Sequence, residues 1–183
     1  MKVSLLKALC IIRFMHKQLV DILDENGFAI GVKSKEYIDK VKDNLPVVYV
    51  IVYNSLGEVL IVELPGEDDK KNMFYQKYSL SAATLLMHDE DPKDGAKRAL
   101  IKDFNIHSNP IFLDKSFFSF NNTKRMGYFF ALKYDEEVEV NFDSAQKGEF
   151  VSREMIENMI LQDPDIYTPS FLEFWNKFND KLV

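Results

Sequence analysis

Glu90-Asp-Pro-Lys-Asp-Gly-Ala-Lys-Arg-Ala-Leu-Ile-Lys-Asp-Phe-Asn-Ile106 is the stretch on which the fold turns. Asp91 followed by Pro92 opens a helix: the aspartate caps the first free N–H groups, and proline fits the first helical position because it has no N–H to leave unpaired. Ala96, Leu100 and Phe104 then recur at i, i+4 and i+8, a stripe that faces a core. Asn105 tolerates the left-handed conformation that ends a helix. The spacing predicts a helix over residues 92–104.

Outward from this helix, the chain reads as a mixture of strands and helices. Residues 19–23 and 28–32 flank Asp24-Glu25-Asn26-Gly27, a hairpin whose Asn-Gly pair takes up positive φ readily. Ser34 is placed to cap a short helix over 35–42, with Glu36 in its first turn. Val47-Val-Tyr-Val-Ile-Val-Tyr53 is apolar without alternation, the pattern of a strand covered on both faces. A turn at 54–57 leads to a strand over 59–62, residues 65–72 make a charged loop, and 78–83 form a strand of small residues. Strands are expected at 111–120 and 127–134, joined by Asn121-Asn122-Thr123-Lys124. Ser152 caps a helix through Met159, and a last helix covers 169–181. This order lacks strict βαβ alternation, which argues for a mixed sheet between helices, an α/β or α+β sandwich.

The chain has 183 residues, the length of a single domain of ordinary size. Its 46% apolar and 28% charged residues, with fifteen Phe, supply a real core. A net charge of −6 argues against a nucleic-acid partner held by charge, but leaves a small phosphorylated ligand open. Cys10 is the single cysteine, so no internal disulfide framework exists and a reducing compartment is expected. Residues 1–14 are faintly like a signal peptide, yet Lys7 and Arg13 leave an apolar run only from Ala8 to Ile12. No segment approaches the roughly 20 apolar residues of a membrane span. The expectation is a cytoplasmic protein without a membrane or nucleic-acid partner. Residues 1–14 read as an amphipathic first helix or a non-native upstream extension, and residues 15–183 as one domain.

The spacing of Glu90, Arg98 and the helix after them resembles, in register, the Nudix signature G-x5-E-x7-R-E-U-x-E-E-x-G-U, where U is a bulky aliphatic. In that family a loop feeds a helix whose glutamates, one turn apart, hold Mg²⁺ or Mn²⁺. The metal offsets the charge of a diphosphate and activates water. The departures are extensive. Thr84 stands at the leading glycine, Ala99 at the glutamate after the arginine, and Lys102 and Asp103 at the paired glutamates. Asn105 stands at the closing glycine. The flanks, residues 20–27, 31–36, 150–155 and 167–171, are similar to the Nudix branch that includes isopentenyl-diphosphate isomerase, and the resemblance covers about residues 16 to 180. The isomerase's histidine and cysteine would fall at Leu45 and Ala83, so the hydrolase members are the nearer comparison.

What the resemblance implies is a Nudix-type mixed sheet between helices that recognises a nucleoside-diphosphate-type or other diphosphate ligand, with a homodimer left open. If active, the protein would hydrolyse the diphosphate with Mg²⁺ or Mn²⁺, using Glu90 and Asp103 as residual ligands. The rival is a catalytically silent Nudix-fold module that binds a ligand or a protein; a third reading moves the catalytic acids to loops, with Glu149 as the accessory acid. Each residue also has a plainer role. Glu90 suits the positive end of the helix, and Arg98 suits a structural bridge to Glu90 or Asp103. Asp103 and Lys102 suit a solvated helix face. His88 is a loop histidine with acid–base chemistry or a merely solvated one, and His16 and His107 lack metal-ligand spacing. Asp135-Glu136-Glu137 suits a soluble strand end.

Overall fold

The computed structural model describes residues 18–65 and 74–182. Residues 1–14, with Cys10, as well as His16 and most of the 65–72 loop, lie outside the described residues.

β1 (Leu19–Leu23) and β2 (Ala29–Ser34) form the expected hairpin as a separate two-stranded sheet. Its turn is tied by the Asp24 carboxylate, which accepts from the Asn26 and Phe28 N–H groups at 2.8 and 2.9 Å, with only Gly27 at positive φ (88°). The helix expected over 35–42 shrinks to a single 3-10 turn, Lys35–Tyr37. Ser34 makes no backbone cap; its hydroxyl goes to Glu36 at 3.2 Å instead.

The main sheet has seven strands. β3 (Leu45–Tyr53) lies at its centre, parallel to β8 (Thr123–Lys133) and antiparallel to β4 (Val59–Glu63) and β6 (Ala82–Leu85). β7 (Ile111–Phe120) flanks β8, while β5 (Tyr78–Ser79) and β9 (Lys147–Val151) both pair with β4. Every residue of β3 is buried. Alternation along a strand sends its side chains to opposite faces. Val47, Tyr49 and Ile51 join Phe129, Phe171, Phe174 and Trp175 in one core. Val48, Val50 and Val52 join Ala96, Leu100, Phe104 and Phe130 in another. The unbroken apolar run therefore serves two cores, one on each side of the sheet.

The helices cover those faces. α1 (Pro92–Phe104) closes the second core, and α2 (Arg153–Gln162) and α3 (Pro169–Phe178) close the first. α2 runs three residues past Met159, capped at its start by Ser152, whose Oγ accepts from the Met155 N–H at 3.2 Å. α3 stops at Phe178 and tightens into a 3-10 turn at Asn179–Lys181 rather than continuing as α-helix. The β7–β8 turn is only Asn121 and Asn122, because Thr123 and Lys124 already belong to β8. Among the described residues no helix is long and apolar enough to cross a membrane.

The strand expected over 78–83 is two strands, and the break has a cause. β5 pairs with β4, whereas β6 pairs with β3. Between them the buried Ser81 replaces the missing rungs: its Oγ accepts from the Val52 N–H at 2.8 Å and donates to the Leu60 carbonyl at 2.6 Å. The sheet parts at this point, and the residues around the parting line one side of a cleft.

Candidate functional site: a cleft at the end of helix α1

α1 forms as its sequence dictates. Asp91 Oδ1 accepts from the Lys93 N–H at 2.8 Å, Pro92 follows it, and Asn105 closes the helix at φ 54°. Gly95, Ala96, Ala99, Leu100, Asp103 and Phe104 make the buried face. Gly95 lets this face approach β3, since a Cβ there would lie 3.1 Å from Val48 Cγ2.

At the start of the helix, Glu90 and Arg98 form a clamp. Arg98 Nε donates to Glu90 Oε1 at 2.8 Å and Nη2 to Oε2 at 2.7 Å, a bidentate pair. The remaining guanidinium donors reach the Thr84 hydroxyl and the Leu85 carbonyl, both at 2.9 Å. Glu90 Oε2 also accepts from the Met87 N–H at 2.9 Å. Burial pushes the Glu90 carboxyl up, but Arg98 and the Met87 N–H outweigh it and hold the group below its ordinary range. Arg98 thus pairs with Glu90 rather than with Asp103. His88 ties the same loop to β1. Its N–H donates to the Leu19 carbonyl at 2.7 Å, and Nδ1 lies 2.8 Å from Asp21 Oδ1.

At the other end of α1 the expectation for Asp103 is overturned. It is not on a solvated face but 6% exposed, and it borders a cleft of about 530 Å³. Val62, Ser79, Ser81 and Ala83 come to this cleft from the parted strands, and Lys102 and Asp103 from the helix. Asn141, Asp143 and Ser144 complete it from the loop before β9. Asn141 staples that loop to the helix end: its N–H donates to the Asp103 carbonyl at 2.9 Å and Nδ2 to the Lys102 carbonyl at 3.0 Å. Asn141 Oδ1 in turn accepts from the Asp143 N–H at 3.0 Å. Lys102 Nζ approaches Asp103 Oδ1 to 2.8 Å, but off the line that a hydrogen bond needs. The buried oxygen therefore has the Lys102 ammonium as its charge partner and no hydrogen-bond partner among the described residues.

The two carboxylates singled out in the sequence are not brought together here. Glu90 is consumed by Arg98 and does not line the cleft. Glu149 lies on β9, ion-paired to Lys147 at 2.7 Å, beside a different hollow bordered by Leu60, Tyr134 and Glu136. The residues bordering the cleft that the sequence did not single out include Asn141, Asp143 and Ser144. Their one local signal is the Asn141-Phe-Asp-Ser turn chemistry; its docking on α1 is a long-range contact.

The donor set does not suit a divalent ion. Among the described residues no group of three His, Cys, Asp or Glu side chains converges on one point. Asp103 and Asp143 are the carboxylates bordering the cleft, and an ammonium already stands on the first of them. Ala99, where the signature has a glutamate, is wholly buried.

No protein-family model matches the sequence, and no curated protein matches it. Solved structures do. The DR0079 protein of Deinococcus radiodurans superposes with a TM-score of 0.67 at 16% identity, covering 87% of this chain and 98% of its own. A NUDIX hydrolase from Nitrosomonas europaea gives a TM-score of 0.58 at 12% identity, over 75% of this chain and 90% of its own. A bifunctional NMN adenylyltransferase/ADP ribose pyrophosphatase from Francisella tularensis gives 0.56 at 16% identity, over 76% of this chain and 42% of its own. At these identities the likeness is one of architecture, and the architecture of this chain is that of the Nudix hydrolases.

Proposed function

We propose that this chain is a Nudix-superfamily protein, from the branch related to isopentenyl-diphosphate isomerase, that recognises a nucleoside-diphosphate-type or other diphosphate ligand in the α1 cleft. One observation carries the proposal. Lys102, in register with the first of the signature's paired carboxylates, stands half exposed at the cleft rim, 2.8 Å from the buried Asp103. Its ammonium is the donor that a diphosphate oxygen needs, whereas a carboxylate oxygen has no proton to offer an anion.

Within this reading a silent binding module is favoured over a hydrolase. The Glu90 carboxylate is fully engaged by Arg98 and Met87, so it is a positioning group for the loop. Ala99 has no proton-accepting side chain, and Asp103 is paired with Lys102. Glu90, Ala99 and Asp103 thus leave no free carboxylate at the box positions to activate water with metal help, and Asp143 is the remaining carboxylate at the cleft. The Ser79–Ser81 edge and the 141–144 loop shape the site, while Lys102 and Asp103 supply its charge.

The deciding experiment is a screen of nucleoside diphosphates and dinucleotides with Mg²⁺ and Mn²⁺, reading binding and phosphate release separately. Saturable binding without turnover is the expected result. Metal-dependent turnover at ordinary enzyme rates would overturn the silent reading, and absence of any binding would overturn the diphosphate assignment. Metal-dependent isomerisation of isopentenyl diphosphate is not expected, because Ala83 carries no thiol and Leu45 no imidazole.

A further inference from the structure

The geometry points to Lys102 as a built-in replacement for the divalent cation: we propose that its ammonium bridges Asp103 and a diphosphate oxygen, so that this cleft binds its ligand without metal. The inference rests on the diphosphate reading above and deepens it. An ammonium has three donors and no acceptor. Asp103 draws it to 2.8 Å by charge alone, without a hydrogen bond on that oxygen. The Lys102 side chain is still half exposed, and the residue borders the cleft. Its donors are therefore open to a ligand oxygen on the side away from Asp103.

The backbone holds this arrangement in place. Asn141 grips the carbonyls of both Lys102 and Asp103, which fixes the backbone of the pair at the rim, and Asp103 then draws the Lys102 side chain. Lys35 lies near this rim. Lys35 is held below the ordinary lysine range by burial and then by the charges of Arg98, Lys102 and Lys40, which places it within electrostatic reach of Lys102. Arg98 is neutralised by Glu90, and Asp103 and Asp143 oppose an anion. Lys102 is the group that screens Asp103 from an incoming phosphate, the work an ion does in an intact Nudix box. A second positive ion would be repelled from the same oxygen by this ammonium at 2.8 Å.

The test is titration calorimetry of the full chain with inorganic pyrophosphate and with ADP, each in excess EDTA and in millimolar Mg²⁺, alongside melting curves. Binding should persist in EDTA. Lys102→Met should weaken it at least about tenfold, the scale of one charge-assisted hydrogen bond. Lys102→Arg should retain most of the affinity, and Lys97→Met, which changes a lysine paired with Asp94 on the same helix, should change nothing. Lys102→Glu should make whatever binding remains depend on Mg²⁺. Melting curves of the variants in the absence of ligand separate lost binding from lost folding, and Lys102→Arg gives the answer if Lys102→Met does not fold. Binding that requires Mg²⁺ in the natural protein overturns the proposal and spares the diphosphate reading. EDTA-resistant binding that ignores Lys102→Met also overturns it. Binding of neither probe under either condition overturns both.

Discussion

At the scale of single residues, Glu90 shows how a loop carboxylate is locked by its neighbours. Its carboxylate meets three N–H donors, two from Arg98 and one from Met87. A carboxyl held below its ordinary value of 4.5 contributes stability that is present above that value. The contribution is lost as pH falls through the lowered value. Glu90→Gln should therefore be less stable than the natural protein at pH 7, and the gap should close on acidification below about pH 4.5. Urea melts at several pH values measure it; a gap that widens in acid would contradict the assignment. Asp103 predicts the opposite sign. Asp103→Asn removes a buried charge that makes no hydrogen bond through Oδ1, so it should leave the melting temperature unchanged or raised. Glu90 and Arg98 were legible because a fixed spacing carries them. The burial of Asp103 was not, since a charged residue beside Lys102 reads as a surface pair until the 141–145 loop is seen to cover it.

At the scale of elements, α1 was legible to the residue, from Asp91 as cap to Asn105 as terminator, because every signal is local. Leu100, wholly buried on its core face, tests the register: Leu100→Ala should cost about 2–5 kcal/mol in chemical denaturation. A loss well under 1 kcal/mol would mean that the helix does not pack as described. The strand expected over 78–83 was legible only as a run of small residues. Its fork at Ser81 depends on Val52 and Leu60, 29 and 21 residues away, and no local pattern records such partners. The same limit explains the 35–42 segment. Ser34 has the chemistry of a cap, but its hydroxyl is taken by Glu36, and Asp39 and Asp43 fold the following residues into turns.

At the scale of the whole molecule, the described fold begins with β1 at Leu19, whose entry is fixed by the Lys35 N–H donating to the Gln18 carbonyl at 2.7 Å. Deleting residues 1–14 should leave a soluble, cooperatively melting protein; a fall in melting temperature of more than about 8 °C, the shift that roughly 2 kcal/mol produces in a chain this size, would make that segment integral. The general architecture was legible because β3 had to be covered twice, and a strand covered twice implies layers on both sides. That doubly covered strand has a consequence for how the molecule opens. Each core depends on alternate side chains of one backbone, so neither helical layer can come away and leave the other intact. The amides of Val48 through Val52 should exchange with solvent deuterium only when the entire domain unfolds. They would then share one protection value, equal to the global stability, on both sides of the sheet.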